Sequence, residues 1–478
     1  MHVEIHPVAR LRGNGAVDVG AALSHVLAAL GNEEVDLARV RVVFEWIQYR
    51  NNFRNIVDAR AILPDGGLEV AVDLRRAGEV DLQAETAAAL RGSSAGRVYL
   101  EDWAPARNSI AWQLNNLYWS ALGHWERVTG NEYESSLPSG ESDARNKAAV
   151  HELIKELFAV WDDLRDRDAL PEELYVLELG VGNGNQARAW LDEFVRLDQD
   201  HGGDYYRRLH YLLADYSRHV LERAEQNVAH HVPHVSTLVV DALQPTAALG
   251  FLRYKAFLVY VSNVYDNLPT DEVARIGGRA YLVQVRAYLP EPVAQALEAR
   301  CSLPDDWLLP FLDKLTRLGP ELLSEAFPSS FPTVDAAVAF WVEVWGALRF
   351  EERFVPLEGL DLYEVAPHVT GECLRPLLEA NGDVRLHVSN GAVASFADTL
   401  DLLHPFGRLT CHDLFVTDVD QYATGFRGPG KYDGSVVNWV NGPLLQHIGR
   451  RRGFDVTLEP FRHRTGSNVC TLQAQVRE

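Results

Sequence analysis

The sequence predicts an α/β fold built on a parallel sheet that is covered by helices on both faces. The first observation is that short apolar runs alternate with amphipathic helical segments from residue 171 to about 270. The second is that the same alternation returns after about residue 383 and continues through 460. The third is that a mostly helical insertion, at about 270–382, separates the two stretches.

The length of the chain and its net charge restrict the number of domains and the class of binding partner. The chain has 478 residues, too many for one typical core, so we expect an N-terminal accessory α/β domain at 1–105 and a main domain at 106–478. The formal net charge of −22 argues against nucleic acid or an anionic membrane as the main partner. We find no apolar signal core and no stretch of about 18 apolar residues, which predicts a cytoplasmic protein.

The N-terminal region has the pattern of a helix followed by strands. The helical stretch is Val17–Leu30, and the strand-like runs are Val40–Ile47, Ile56–Leu63 and Leu68–Leu74, with a turn at Pro64–Gly67 between the last two. The region carries no motif that we can tie to chemistry. We therefore expect it to capture substrate, to support a homodimer, or to serve only as scaffold.

The segment 106–170 is predicted to be helical, because its apolar residues recur at three and four positions. Its aromatic residues are expected to pack a core rather than to stack on a ligand: Trp112, Tyr118, Trp119 and Trp125. The same is expected of Trp341, Trp345 and Phe350 in the insertion.

The most specific motif is Glu178-Leu-Gly180-Val-Gly182-Asn-Gly184, which lies between a predicted strand and a predicted helix. Glycines allow a sharp turn and a close approach of backbone to ligand. The N-terminus of the following helix presents unpaired N–H groups that suit a carboxylate or phosphate. A dinucleotide fingerprint that starts at Gly180 would need a glycine at position 185, where this chain has Asn185.

The spacing G-x-G-x-G, with an acid two residues before the first glycine, resembles motif I of the class I S-adenosylmethionine-dependent methyltransferases. The resemblance implies a Rossmann-like seven-stranded methyltransferase sheet and S-adenosylmethionine as the cofactor. It also implies that Glu178 contacts the methionyl ammonium group of the cofactor, and that the loop of Gly180, Gly182 and Gly184 passes beneath it.

Two further acids end the next two predicted strands. Asp215, followed by Tyr216, ends the second strand, where a carboxylate can accept both hydroxyl groups of a ribose. Asp241 ends the third strand, and the family resemblance implies that it reads the adenine amino group together with the backbone amide of Ala242. Either acid alone is also typical of a helix cap.

The residues that follow the fourth predicted strand narrow the resemblance from the class I methyltransferases in general to one family among them. The stretch Asn263-Val-Tyr265-Asp266-Asn-Leu268-Pro269 resembles the MidA-like methyltransferases, which are related to a mitochondrial complex I assembly factor. Val264 stands where that family has a glutamate. The segments around 383–460 resemble the family too, whereas residues 1–100 do not.

Residues at the ends of strands four and five are candidates for the acceptor side of the site. Asn263 could orient an acceptor nitrogen, and Asp266 or His412 could take a proton. A strand histidine and a turn cap are equally good explanations of His412 and Asp266. The loop Gly425–Gly434 has the composition of either a lid or a plain connector.

A metal site is not expected. The histidines at 230, 231 and 234 lie at a predicted helix end, where a solvated surface explains them better than metal binding. The four cysteines contain no C-x-x-C pair, which argues against a zinc site or a disulfide framework.

The sequence thus favours an enzyme that transfers a methyl group to nitrogen or oxygen of a small molecule or of a peptide or protein. The alternatives are a non-catalytic assembly factor that binds the cofactor and a protein arginine methyltransferase like the resembled relatives. A nicotinamide-dependent oxidoreductase is disfavoured by Asn185.

Overall fold

The computed structural model describes residues 1–5, 18–92, 96–131, 133, 146–303, 307–380, 382–424, 428–464 and 466–477. The strands are β1 (His2–Ile5), β2 (Val40–Glu45), β3 (Val57–Ile62), β4 (Gly67–Asp73), β5 (Arg97–Tyr99), β6 (Ala104–Pro105), β7 (Leu174–Leu179), β8 (Leu209–Asp215), β9 (Val235–Val239), β10 (Ala256–Ser262), β11 (Glu272–Ile276), β12 (Arg279–Pro290), β13 (Arg349–Pro356), β14 (Glu364–Ala366), β15 (Val369–Thr370), β16 (Val384–His387), β17 (Leu403–Asp413), β18 (Phe415–Val416), β19 (Gly430–Tyr432), β20 (Ser435–Val437), β21 (Val440–Asn441), β22 (Phe454–Pro460) and β23 (Cys470–Val476).

The α-helices lie between these strands, and the mixture confirms the predicted α/β class. The helices are α1 (Val19–Asn32), α2 (Leu82–Leu90), α3 (Ile110–Ser120), α4 (Leu122–Thr129), α5 (Lys147–Asp166), α6 (Asn185–His201), α7 (Tyr205–Arg208), α8 (Arg218–Asn227), α9 (Pro245–Leu249), α10 (Glu291–Arg300), α11 (Leu308–Ala326), α12 (Val334–Ala347), α13 (Arg375–Ala380), α14 (Asn390–Thr399) and α15 (Gly442–Arg451).

A seven-stranded sheet contains the strands that alternate with helices in the sequence. Its order is β22-β23-β17-β10-β7-β8-β9. The strands from β17 to β9 pair in parallel, and β23 pairs antiparallel with both β17 and β22. Because parallel strands end at the same edge, the segments that follow β10, β7, β8 and β9 lie side by side.

Both faces of this sheet are buried against helices, which explains why its strands are almost continuously apolar. One face packs on α5, α6 and α8, where Trp161, Trp190 and Phe194 are among the fully buried residues. The opposite face packs on α14 and α15, through residues such as Phe396 and Leu444. The predicted helices and strands of 171–263 are confirmed within a few residues at their ends.

A ten-stranded sheet joins the N-terminal region to the segment 270–382. Its main path is β1-β2-β4-β3-β13-β12-β11-β16, and β5 and β6 pair with β12. The segment 270–382 has the predicted helices α10, α11 and α12, but it also contributes β11, β12 and β13, which the sequence pattern does not reveal. Strand β16, where the strand–helix alternation was expected to return, pairs with β11 in this sheet and not with the parallel strands.

One face of the ten-stranded sheet carries a buried network of alternating charges. Arg60 contacts Glu69 and Glu352 at 2.9 Å each, and Arg54 contacts Glu45 at 3.0 Å. Arg54, Arg60 and their three partners have side chains that are no more than 6% exposed. The network ties strands from 45–69 to strands beyond 349, so the two distant parts of the chain form one layer.

Candidate functional site

The carboxyl edge of the seven-stranded sheet opens into a cavity of about 360 Å³. Most of the residues that the sequence analysis names for the cofactor and acceptor site line it: Glu178, Gly180, Gly182, Asp215, Tyr216, Asp241, Ala242 and Asn263. They come from the ends of β10, β7, β8 and β9, which are adjacent in the sheet. The structure therefore brings the three predicted acids to one cavity.

The glycines of the loop serve different purposes. All three have a positive φ: +78° at Gly180, +55° at Gly182 and +80° at Gly184. A Cβ on Gly184 would lie 2.7 Å from the Cα of Ala224 in helix α8, so this glycine allows the loop and the helix to pack closely. A Cβ on Gly182 would meet no atom within 4 Å. Gly182 therefore leaves room for a ligand beside the backbone.

Glu178 is the most buried of the three acids, at 3% exposed. Its Oε2 accepts a hydrogen bond of 2.6 Å from the hydroxyl of Tyr211. Burial raises the pKa of Glu178 to about 8, the Asp215 carboxylate adds to the rise, and the Tyr211 hydrogen bond opposes it. A carboxyl group in this state is a strong partner for a cation, because a bound positive charge would restore its ionised form.

Asp215 fixes the glycine loop as well as facing the cavity. Its Oδ2 accepts from the backbone N–H of Gly182 at 3.2 Å, and its Oδ1 accepts from the N–H of Ser217 at 3.0 Å. Burial raises the pKa of Asp215, and these backbone donors oppose the rise. Asp241 is exposed and accepts from the N–H of Leu243 at 2.9 Å.

Gln186, in the first turn of α6, is a cavity residue that the sequence analysis did not identify. It is 8% exposed, and both its Oε1 and its Nε2 are buried without a hydrogen-bond partner among the described residues. An unsatisfied buried amide is costly, typically about 1–3 kcal/mol. This cost is expected where a ligand with both a donor and an acceptor completes the site.

The helices α3 and α4 cover the cavity from the other side. Asn115, Trp119, Leu122, Glu126 and Tyr133 line it there. The expectation that the aromatic residues of α3 and α4 pack a core is correct for Trp112, Tyr118 and Trp125, which are no more than 5% exposed.

Trp119 is half-buried and packs against the same core as Trp112 and Tyr118. It also borders the cavity, where it meets Tyr133 edge to face with ring centroids 4.9 Å apart.

Asn263 follows β10 in the left-handed region, with a φ of +52°. Asparagine tolerates this conformation better than most residues. Its backbone N–H donates to the carbonyl oxygen of His412 at 3.0 Å, so the ends of β10 and β17 are held together. Asn263 lines the cavity.

Asp266 was predicted to take a proton from an acceptor, and the structure places it differently. It is 5% exposed and is absent from the cavity wall. Burial and the neighbouring Asp413 carboxylate raise the pKa of Asp266 well above its usual range. Asp266 lies behind the cavity wall, in the turn Tyr265–Asn267, and of the three residues in this turn only Asn267 lines the cavity.

His412 was the second candidate base, and the structure places it away from the cavity. Successive side chains of a strand point to opposite faces. His412 therefore faces a separate cavity between the sheet and α5, where its Nδ1 meets the hydroxyl of Thr471 at 2.9 Å. Burial lowers the pKa of His412 to about 4. The interpretation as a satisfied strand histidine is the one that fits.

The loop Gly425–Gly434 is partly outside the described residues, which omit 425–427. From Gly428 on it is packed rather than free to move as a lid. Lys431 donates to the carbonyl oxygens of Trp345 and Leu348 at 2.6 and 2.7 Å. The Asp433 carboxylate accepts from Tyr118 and Trp125 at 3.0 Å each.

The three histidines of the predicted helix end do not form a common site. His231 was expected at a solvated surface, but it is 6% exposed. Its ring nitrogens meet the hydroxyl of Tyr206 at 2.7 Å and the carboxylate of Asp192 at 3.1 Å. His230 is exposed and His234 half-buried.

Comparison with known proteins gives distant structural similarity only. No family model matches the chain, and no curated protein is similar to it in sequence. A solved structure of a COG1565 superfamily member from Burkholderia thailandensis, bound to S-adenosyl-homocysteine, is 15% identical, with 81% of this chain and 91% of that chain covered and a TM-score of 0.46.

Two further solved structures are more distant in shape. A native structure of a COG1565 superfamily protein from the same organism is 15% identical, covering 81% of this chain and 90% of that chain, with a TM-score of 0.44. The CcbJ methyltransferase from Streptomyces caelestis is 9% identical, covering 72% of this chain and 95% of that chain, with a TM-score of 0.31.

Over the described ranges, every helix is too short or too polar to cross a lipid bilayer.

Proposed function

We propose that this protein is an S-adenosylmethionine-dependent methyltransferase and that the seven-stranded sheet is its Rossmann-like catalytic fold. One observation carries the proposal: the glycine loop and the acids Glu178, Asp215 and Asp241 line the same cavity. Glu178 is the last residue but one of β7, Asp215 ends β8, and Asp241 lies two residues after β9, so the acids lie at one edge of neighbouring parallel strands, as a nucleoside site requires.

The residues present fit this cofactor. The open space beside Gly182 admits a ligand against the backbone, and the unpartnered Gln186 amide can bind an amino-acid group. Glu178 would hold the methionyl ammonium, Asp215 the ribose hydroxyls, and Asp241 with Ala242 the adenine. When bound, the cofactor supplies a methyl group activated by a positively charged sulfur.

The work of the chain is then to place an acceptor in line with the departing sulfur and to exclude water. Asn263 lies at the end of β10, and helices α3 and α4 close the cavity above it. We infer that the acceptor enters between these helices and the turn after β10. A small molecule or a peptide or protein side chain would fit this role.

The resemblance to the MidA-like family supports a protein arginine acceptor as the second candidate. Val264 weighs against it, because Val264 lines the cavity where that family has a carboxylate to face a guanidinium. The third candidate function is that of a non-catalytic assembly factor, which would bind the cofactor but would yield no methylated product.

A titration tests the proposal and separates it from a nicotinamide enzyme. We expect S-adenosylhomocysteine to bind the purified full-length protein in isothermal titration calorimetry and NADH not to bind. Incubation of the protein with cell lysate and methyl-labelled S-adenosylmethionine should then label an acceptor. Binding of NADH alone would contradict the proposal.

A further inference from the structure

Asn267 is a buried residue of the cavity wall that has no assigned role. It is 8% exposed and closes the turn that follows β10. Its backbone carbonyl oxygen accepts from the Nδ2 of Asn115 in α3 at 3.1 Å, so the turn is held to the covering helix. Its side-chain Oδ1 is buried without a hydrogen-bond partner among the residues that the structure describes.

The orientation of this amide is set by a chain of hydrogen bonds that ends at Asp413. The Oδ2 of Asp413 accepts the backbone N–H groups of Val264 and Tyr265 at 3.1 and 2.8 Å, and its Oδ1 accepts that of Leu414 at 2.7 Å. Asp413 is fully buried. Burial raises the pKa of Asp413 to about 6, and these donors oppose the rise, so Asp413 is the negative end of the chain.

Asp266 is the middle of that chain. Its carboxyl group is hydrogen-bonded to that of Asp413, and burial together with this neighbouring carboxylate raises the pKa of Asp266 well above its usual range. Its Oδ1 then accepts from the Nδ2 of Asn267 at 2.6 Å. Because the amide NH₂ is used in this bond, the unpartnered atom of Asn267 is the oxygen.

Resting on the proposed function, we infer that the Asn267 Oδ1 accepts a hydrogen bond from an N–H group of the methyl acceptor, and that the acceptor is a neutral amine. An unsatisfied buried carbonyl oxygen in a cavity wall calls for a donor on the ligand. The same oxygen would repel an anionic nucleophile such as a thiolate, a phenolate or an enolate.

The side chains that could take a proton in the described cavity wall are already engaged, which separates an amine from a hydroxyl group. An amide oxygen cannot take a proton, and the described wall contains no histidine, lysine or cysteine. The Glu126 carboxylate accepts the backbone N–H of Tyr133 at 3.1 Å and lies 3.6 Å from Arg223, and the other three carboxylates of the wall are assigned to the cofactor. A hydroxyl group must lose its proton as it reacts. An amine need not, because its lone pair forms the bond to the methyl carbon while the carbon–sulfur bond breaks with its electron pair on sulfur. The product ammonium then releases its proton to water.

The wall next to Asn267 suits the carbon skeleton of such an amine. Leu268 and Pro269 continue the wall from the turn, and the rings of Trp119 and Tyr133 continue it from the covering side. These surfaces are apolar and offer van der Waals contact without a fixed charge.

The test is to locate the label and to remove the oxygen. Full-length protein is incubated with methyl-labelled S-adenosylmethionine and cell lysate, and mass spectrometry identifies the methylated atom. The rate is compared for wild type, Asn267→Leu, which matches asparagine in size, and Asn267→Ala, which avoids any clash. Asn32→Leu, an exposed position at the end of α1, is the matched control. Thermal unfolding and affinity for S-adenosylhomocysteine are measured for each variant.

We expect the label on nitrogen and at least about a tenfold loss of rate in both Asn267 variants, equivalent to one lost hydrogen bond. Their affinity for S-adenosylhomocysteine should stay within about twofold of wild type, as should the rate of Asn32→Leu. Label on oxygen, sulfur or carbon overturns the inference, and so does an unchanged rate in the Asn267 variants. If wild type binds S-adenosylhomocysteine and labels nothing, the proposed function itself fails.

Discussion

The hydroxyl of Tyr211 donates a 2.6 Å hydrogen bond to Glu178 inside the sheet edge, at the bottom of the cavity. Both side chains are buried. The contact satisfies one carboxyl oxygen without supplying a positive charge. Glu178 is therefore poised to ionise when a cation binds beside it.

The first prediction concerns stability. Burial raises the pKa of Glu178 from 4.5, its value in the unfolded chain, to about 8 in the folded protein. The contribution of Glu178 to the free energy of unfolding is therefore fully present below pH 4.5 and is lost as the pH rises through 8. Replacing Glu178→Gln removes this loss. Chemical denaturation should show that the stability of the variant relative to wild type increases by about 2 kcal/mol between pH 6 and pH 8. Glu225→Gln, an exposed change on α8, should show no such trend; a parallel trend in both variants would refute the assignment.

The second prediction concerns the pH dependence of cofactor affinity. Only ionised Glu178 attracts an ammonium group, so affinity for S-adenosylhomocysteine should rise by up to about tenfold per pH unit between pH 6 and pH 8. Above about pH 8 the gain should level off, because Glu178 is by then largely ionised without the ligand. Calorimetry in buffers of different ionisation enthalpy would detect the released proton. A flat profile in wild type would show that Glu178 does not meet a cation.

The third prediction separates two glycines of the same loop. Gly184→Ala should destabilise the fold, because its Cβ would lie 2.7 Å from the Cα of Ala224. Gly182→Ala meets no atom within 4 Å, so only the cost of its positive φ, about 1–2 kcal/mol, should apply. The Gly182→Ala variant should nevertheless bind S-adenosylhomocysteine more weakly, because the alanine Cβ would occupy space that the ligand needs. Thermal unfolding and titration of both variants distinguish the two effects, and full affinity in Gly182→Ala would count against the site.

The fourth prediction concerns Asp215. Replacing it with alanine removes the ribose acceptor and also the acceptor for the Gly182 N–H. We expect the affinity for S-adenosylhomocysteine to fall by roughly 1–3 kcal/mol, measured by calorimetry. Asp192→Ala, an exposed change on α6, is the control. Equal affinities for Asp215→Ala and wild type would exclude a ribose contact at Asp215.

The cavity wall contributed by the sheet could be predicted from the sequence because it depends on local order. A strand, a glycine loop and a helix follow one another along the chain, and parallel pairing brings the following acids to the same edge. Glu178, Asp215 and Asp241 therefore lie together as expected. The ends of these strands were also predictable from their apolar runs.

The ten-stranded sheet could not be predicted in the same way. Its pairing of β3 with β13 joins residues that are almost 300 positions apart, and no local pattern encodes such a contact. In addition, strands β11, β12 and β13 lie among helices in the sequence, so their apolar residues read as part of a helical insertion.

The direction of side chains was the second feature that could not be predicted from the sequence. His412 follows Cys411 in a buried strand, and a shift of one position turns a side chain to the opposite face. Gln186 and Asn267 could not be singled out either, because an amide without a partner is recognised only from its three-dimensional surroundings.

A crystal structure of the full-length protein with S-adenosylhomocysteine is the most direct test. It should show the amino-acid end of the ligand beside Glu178 and Gln186, its ribose on Asp215, and its adenine between Asp241 and Ala242. A ligand bound elsewhere, or a cavity that stays empty at saturating S-adenosylhomocysteine, would contradict the proposed function.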